Sequence, residues 1–414
     1  MADKVLVGKD GELLLSAEQR ERWGLSPGAS LLVRETPEGV LIRRADSVLR
    51  RVYVEPTSLC NLSCRTCVRH SWDEPPGSLS IHVYRRLIRD LGAVPTLRKI
   101  SLWGFGEPLL HPHIVEMVAL AKGIGAETEL ITNGLLLTPT LAERLVAAGL
   151  DTIVVSVDGV SPESYSDVRA GADFRLVQDN VLALRYARES SPRRNPEVGL
   201  EFVAMRRNVD QLPRLRHLAY TMGASFVVVT NVLPYTKELS DEILYGMFIG
   251  KVSLDGHGEG TPEILLPSMD VRHVTREPLS RLLEEIEGPV TQRARLLKSL
   301  AYCRFVGEGA VAVAWNGDVS PCVALMHSYT CYILGREKHV RRYALGNIGG
   351  ESIKAIWGRE EYARFRSRVQ EFDFSPCSAC GGCHLSETNE EDCFGNKFPV
   401  CGDCLWARGV IQCP

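Results

Sequence analysis

The chemistry of this chain begins at three cysteines, Cys60, Cys64 and Cys67, in the run Cys60-Asn61-Leu62-Ser63-Cys64-Arg65-Thr66-Cys67. Thiolates this closely spaced on one loop can hold three irons of a four-iron cluster and leave the fourth iron without a protein ligand. A structural zinc wants four ligands, and a fully ligated electron-transfer cluster wants a fourth cysteine nearby, yet the next one is Cys303. An iron left open in this way is a reaction site. Of the thirteen cysteines, none precedes Cys60 and seven lie from Cys377 onward. Two more four-iron clusters need about eight thiolates. Candidate ligands are Cys303, Cys322, Cys377, Cys380, Cys383, Cys393, Cys401, Cys404 and Cys413, with Cys331 expected to be spare together with one of the Cys377, Cys380, Cys383 group. Their partition between two clusters stays open, and a zinc ribbon on the CSAC and CGDC pairs is the competing reading.

The elements that position these residues alternate. Strands are expected at 51–56, 98–104, 127–132, 151–159, 197–205 and 224–232, with amphipathic helical runs such as SIHVYRRLIRDLG and PTLAERLVAAG between them. Six βα units in a row call for a parallel sheet covered by helices, with functional groups gathered at the C-terminal strand ends. The cysteine triplet falls in the loop after the first strand. Residues 1–48 read as a small β-rich domain with one short helix, 49–235 as the βα array, 236–300 as a bridge, and 301–414 as a Cys-rich domain organised by metal.

The triplet's spacing and its place in the βα array resemble the radical S-adenosylmethionine (SAM) superfamily. The resemblance implies an α/β fold, a partial (βα)6 barrel of parallel strands, and a [4Fe-4S] cluster on Cys60, Cys64 and Cys67. On that cluster SAM would be cleaved reductively to a 5′-deoxyadenosyl radical. Later strand-end loops match the family in order. Gly104-Phe105-Gly106-Glu107-Pro108 resembles the GGEP segment, which implies that Gly106 and Glu107 receive the SAM ammonium group. Asn133, in Thr132-Asn133-Gly134, and Ser156 occupy cofactor-binding positions, and Arg169 resembles the arginine that pairs with the SAM carboxylate. Thr66 stands where the family usually has an aromatic residue, so packing against adenine is expected to differ.

At the other end of the chain, Cys303, Gly317 and Cys322 resemble the opening of a SPASM-type auxiliary iron–sulfur domain, although the downstream cysteines depart from its usual spacing. Val323 follows Cys322 where sulfatase-maturing relatives carry an Asp base, so any proton acceptor must come from elsewhere. Residues 375–414, GNIGGESIKAIW and the small N-terminal domain resemble maturases that modify the cofactor of tungsten-containing aldehyde ferredoxin oxidoreductases. The implied partners are that oxidoreductase or its cofactor, and a reduced ferredoxin-type electron donor. Two rivals stand beside this reading: a peptide-modifying maturase of the same superfamily, and a non-catalytic zinc scaffold.

Bulk properties narrow the field. A net charge of −3 on 414 residues offers no electrostatic reason to expect nucleic acid or anionic membrane as a partner. No apolar run approaches the roughly 20 residues that span a bilayer, so a cytoplasmic enzyme is expected. Residues 1–48 resemble an AbrB-type domain, but residues 1–50 hold as many acidic as basic side chains, so an accessory role is expected instead of DNA binding.

Overall fold

A computed structural model describes residues 6–9, 12–23, 31–36, 39–44, 48–246, 251–254, 263–284, 294–297, 302–377 and 383–413. The chain divides into two compact units, Met1–Val48 and Leu49–Pro414. In the first, β1 (Leu6–Val7) pairs antiparallel with β2 (Leu13–Leu14), and β3 (Leu31–Thr36) with β4 (Gly39–Arg44). The helix between them, Ala17–Trp23, is capped by Ser16, whose Oγ accepts the Gln19 N–H at 3.1 Å.

In the second unit the six expected strands form β5 (Arg51–Val54), β6 (Lys99–Leu102), β7 (Glu127–Thr132), β8 (Thr152–Ser156), β9 (Glu197–Ala204) and β10 (Phe226–Asn231). Each pairs in parallel with the next, so sequence order is also spatial order. Their near-continuous apolar runs are buried, as strands covered on both faces require. The connecting helices stop where the sequence says they should. Helix Pro139–Ala148 starts at the Thr138 cap with proline in its first turn, and ends at Gly149, whose φ of 86° only glycine adopts without strain. Its Leu145 is fully buried, and truncation to Ala there would cost about 2–5 kcal/mol.

Among the described residues the parallel array is longer than the six strands expected. A strand from the presumed bridge, β12 (Glu263–Leu266), adds to β10, and β14 (Ala310–Val313), from the Cys-rich segment, adds to β5. Antiparallel strands β11 (Lys251–Leu254) and β13 (Ala294–Leu297) extend one edge, and β15 (Asp318–Ser320) and β18 (Gly346–Asn347) the other. A separate hairpin joins β16 (Tyr329–Ile333) to β17 (Arg336–Val340). The Cys-rich segment therefore contributes β14, β15 and β18 to the same sheet. No helix among the described residues is long and apolar enough to cross a membrane.

Candidate active site

The triplet loop leaves β5 and is pinned from several sides. Thr57 Oγ1 donates to Gly77 O at 2.9 Å, the Glu107 N–H to Leu59 O at 2.8 Å, and the Arg65 N–H to Val168 O at 2.8 Å. Arg69 binds the loop from within: Nη1 reaches Ser58 O at 2.7 Å, and Nε reaches the Cys67 Sγ at 3.4 Å. Burial pushes the Cys64 thiol up to about 11 and raises Cys60 as well, while the Arg69 guanidinium opposes the shift at Cys60. These are thiols that ionise when a metal arrives to compensate the charge.

The three cysteines line a cavity of about 250 Å³, and its walls also carry Gly106, Glu107, Asn133, Ser156 and Arg169. The structure thus brings every expected SAM-contacting residue to one place. At Gly106 a Cβ would stand 2.2 Å from Thr57 O, so only glycine lets the loop after β6 pass so close to the cysteine loop. Glu107 is buried and accepts three hydrogen bonds: Leu109 N–H at 3.0 Å and Thr132 Oγ1–H at 2.6 Å on Oε1, and Asn133 N–H at 2.7 Å on Oε2. Burial raises its pKa, against these donors. Asn133 in turn donates from Nδ2 to Asn61 Oδ1 at 2.8 Å, tying the loop after β7 to the cysteine run. Arg169 pairs with the buried Asp158, Nε to Oδ2 at 2.9 Å. Thr66 lines the cavity where an aromatic residue was the family expectation.

Some participants escaped the sequence reading. Glu201, on β9, accepts from Ser156 Oγ at 3.3 Å inside the cavity. Burial, then the Asp158 charge, lifts it to about 7. His327 bridges two carboxylates, Nε2 to Glu55 Oε2 at 2.8 Å and Nδ1 to Glu74 Oε2 at 2.9 Å. Glu55 Oε1 also accepts the Phe105 N–H at 3.0 Å, which links His327 to the loop carrying Gly106 and Glu107. Nothing in a lone His or a single Glu within or just after a strand signals such roles.

Five of the C-terminal cysteines come together, four of them candidate ligands. Cys303, Cys322, Cys401 and Cys404 line one largely apolar cavity. All four thiols are raised, by burial first and, at Cys303, Cys322 and Cys401, by one another's charge as well. Such a buried thiol set suits an iron–sulfur cluster, whose positive irons supply the charge that the apolar walls do not. Among the described residues no three His, Cys, Asp or Glu side chains converge to hold a single metal ion; the four thiols line the cavity walls instead. Cys331, the expected spare, is buried in the same cavity. Cys377, Cys383 and Cys393 lie outside its lining, and Cys380 lies outside the described residues. Cys413 lines the cavity of the first triplet. None of the described cysteines is disulfide-bonded.

Comparison with known proteins matches residues 54–217 to the radical SAM superfamily and residues 303–384 to SPASM, an iron–sulfur cluster-binding domain. The chain is 30% identical to the tungsten-containing aldehyde ferredoxin oxidoreductase cofactor-modifying protein of Pyrococcus furiosus, covering 88% of this chain and 97% of that one. It is 29% identical to the AdoMet-dependent heme synthase of Methanosarcina barkeri, over 86% and 94% of the two chains. The mycofactocin maturase of Mycobacterium tuberculosis is 30% identical, over 83% and 78%. Among solved structures, Streptococcus suis SuiB bound to S-adenosylmethionine aligns at a TM-score of 0.52 and 15% identity, over 82% of this chain and 73% of that one. The AdoMet-bound anSMEcpe aligns at 0.53 and 15%, over 86% and 95%.

Proposed function

Because the chain belongs to the radical SAM superfamily and carries its SPASM iron–sulfur domain, we propose that it is a maturase acting on the cofactor of a tungsten-containing aldehyde ferredoxin oxidoreductase. The observation that carries this reading is the similarity to the Pyrococcus furiosus cofactor-modifying protein, which runs over 97% of that protein's length.

When bound, a four-iron cluster together with SAM supplies a 5′-deoxyadenosyl radical by one-electron reductive cleavage. The chain's residues provide the holding and the shielding. Cys60, Cys64 and Cys67 would ligate the cluster, and Arg69 keeps their loop in shape while donating to the Cys67 sulfur. Glu107 spends three of its roughly four acceptor sites on Leu109, Thr132 and Asn133, which leaves one on Oε2 for an ammonium group. Asp158 grips Arg169 at Nε, leaving the terminal Nη pair to meet a carboxylate. Cys303, Cys322, Cys401 and Cys404 would hold an auxiliary cluster, and a reduced ferredoxin-type protein is the natural electron donor.

The test is to incubate the reduced, iron-loaded protein with SAM and a tungsten oxidoreductase purified from a host lacking this gene, and to follow 5′-deoxyadenosine and the cofactor by mass spectrometry. The expected result is 5′-deoxyadenosine formation stimulated by the oxidoreductase or its released cofactor, with a mass change in the cofactor. The similarity to a mycofactocin maturase favours a second reading, modification of a peptide. Stimulation by a small precursor peptide, with none by the oxidoreductase, would establish that reading instead.

A further inference from the structure

The last residues of the chain turn into the barrel. The Gln412 N–H donates to Thr230 Oγ1 at 2.9 Å and its Nε2 to Val229 O at 3.1 Å, so the tail is fastened to the C-terminal end of β10. Asn231 Nδ2 holds Val410 O at 2.9 Å, and Arg304 Nη1 holds Cys413 O at 2.8 Å. The Cys413 sulfur accepts the Trp406 indole N–H at 3.2 Å and lines the cavity that the cysteine triplet opens into. It lines a different cavity from the C-terminal thiols that come together. After burial, the groups that act most on it are Glu201, Trp406 and two arginines, with no thiol among them. It lies outside the lining of the cavity that carries Cys303, Cys322, Cys401 and Cys404.

An independent feature marks the same wall as a place where a ligand sits. Asn231, 2% exposed, lines the cavity, and its Oδ1 is buried without a hydrogen-bond partner. A buried amide oxygen left without a donor is destabilising, and a bound molecule carrying an N–H or O–H would remove that cost. Glu201, on the neighbouring strand, adds an acceptor for a second such group.

We infer that Cys413 is a hydrogen-atom donor of the reaction chamber, serving a polar substrate held against Asn231, and not an auxiliary-cluster ligand. The inference rests on the reading of this cavity as the place where SAM is cleaved. The step balances simply. A carbon radical in the chamber takes the hydrogen atom of the Cys413 S–H; a C–H bond forms, the S–H bond breaks, and a sulfur radical remains. One electron from the reduced ferredoxin-type donor and one proton, for which Glu201 stands in the same cavity, restore the thiol. Burial pushes the thiol up to about 12, which keeps it in the S–H form that such a donation needs.

The test uses the full-length, iron-loaded protein, kept reduced by a ferredoxin-type donor, with SAM as the only added substrate, in D2O. The thiol exchanges with solvent, so 5′-deoxyadenosine made by the wild-type protein should gain one deuterium. Cys413→Ser keeps the size of the side chain and an acceptor for Trp406, but its O–H bond is too strong to give up a hydrogen atom to carbon. It should hold as much iron and sulfide as the wild type and show a several-fold drop in deuterium incorporation, and Cys413→Ala should behave likewise. Loss of about four irons per chain in both variants would make Cys413 a cluster ligand and overturn the inference. Unchanged deuterium content in the variants, or a wild-type product without deuterium, would overturn it too. A wild-type protein that forms no 5′-deoxyadenosine would instead refute the underlying assignment of the cavity.

Discussion

Cys64, whose thiol is raised to about 11, must lose its proton to bind iron, so cluster loading releases protons and weakens as the pH falls. Replacing Cys60, Cys64 or Cys67 by Ala should abolish reductive SAM cleavage and remove about four irons while the auxiliary iron stays bound, because Cys303, Cys322, Cys401 and Cys404 lie in another cavity. Iron analysis and 5′-deoxyadenosine assay on the three variants check this. Glu107 makes a finer case. Glu107→Gln turns one acceptor oxygen into a donor facing the N–H and O–H groups of Leu109, Thr132 and Asn133, so it should weaken SAM binding at least tenfold and cost about 1–3 kcal/mol of stability. Isothermal titration against SAM and thermal melts read both effects. The triplet and Glu107 were legible because the ligand spacing and the Gly-x-Gly-Glu-Pro pattern are local in sequence. Glu201 was not, since a glutamate in the middle of a strand acquires its raised pKa of about 7 only from burial and from Asp158, which tertiary structure supplies.

Elements are joined across the barrel mouth by His327, which no local pattern announces. It follows the short turn Val323–Leu325, stacks on Trp72 at 4.0 Å, and reaches both Glu55 at the end of β5 and Glu74 in the loop beyond the cysteine triplet. Phe105 packs edge-on to the same ring. Although burial alone would lower it, the hydrogen bonds that His327 donates to Glu55 and Glu74 raise it from 6.5 to about 9. The sign follows: a raised folded-state pKa gives a stabilisation that is complete below about pH 6.5 and is lost as the pH climbs through about 9. His327→Gln should remove about 3 kcal/mol at pH 6, and much less at pH 10. It should also loosen the loop carrying Gly106 and Glu107 through Glu55, and melts at the two pH values with SAM titrations decide the matter. Six strands of this assembly could be read because each pairs an apolar run with a following amphipathic helix. β12 and β14 could not, because EILL and AVAV are four-residue runs without periodicity, and only their sheet neighbours make them strands.

At the scale of the whole molecule, thiols that look scattered in sequence come to line one cavity. Cys303 and Cys322 flank β14 and β15, while Cys401 and Cys404 come from near the end of the chain. Spacing alone therefore left the partition open. Cys322→Ala should remove about four irons and destabilise the C-terminal segment, whereas Cys331→Ala should keep its iron, as sulfide and iron analysis will show. The same scale decides what the first unit contributes. Leu49 is 3% exposed and belongs to the large core, its carbonyl accepts from Thr96 Oγ1 at 2.8 Å, and the Arg50 N–H donates to Gly309 O at 2.8 Å. The second unit therefore needs the chain from Leu49 onward, and every thiol and cavity residue described lies within it. A protein beginning at Ser47 should fold, take up the full iron content and cleave SAM at a rate within about twofold of the intact chain, since surface changes away from a site typically shift stability by about 0.5 kcal/mol or less. One beginning at Val54 should fail to assemble any cluster, because it lacks the strand that β6 and β14 both pair with. Iron content and 5′-deoxyadenosine formation by the two truncations test the boundary. An iron-free protein from the Ser47 start would mean that the first cluster depends on the N-terminal unit.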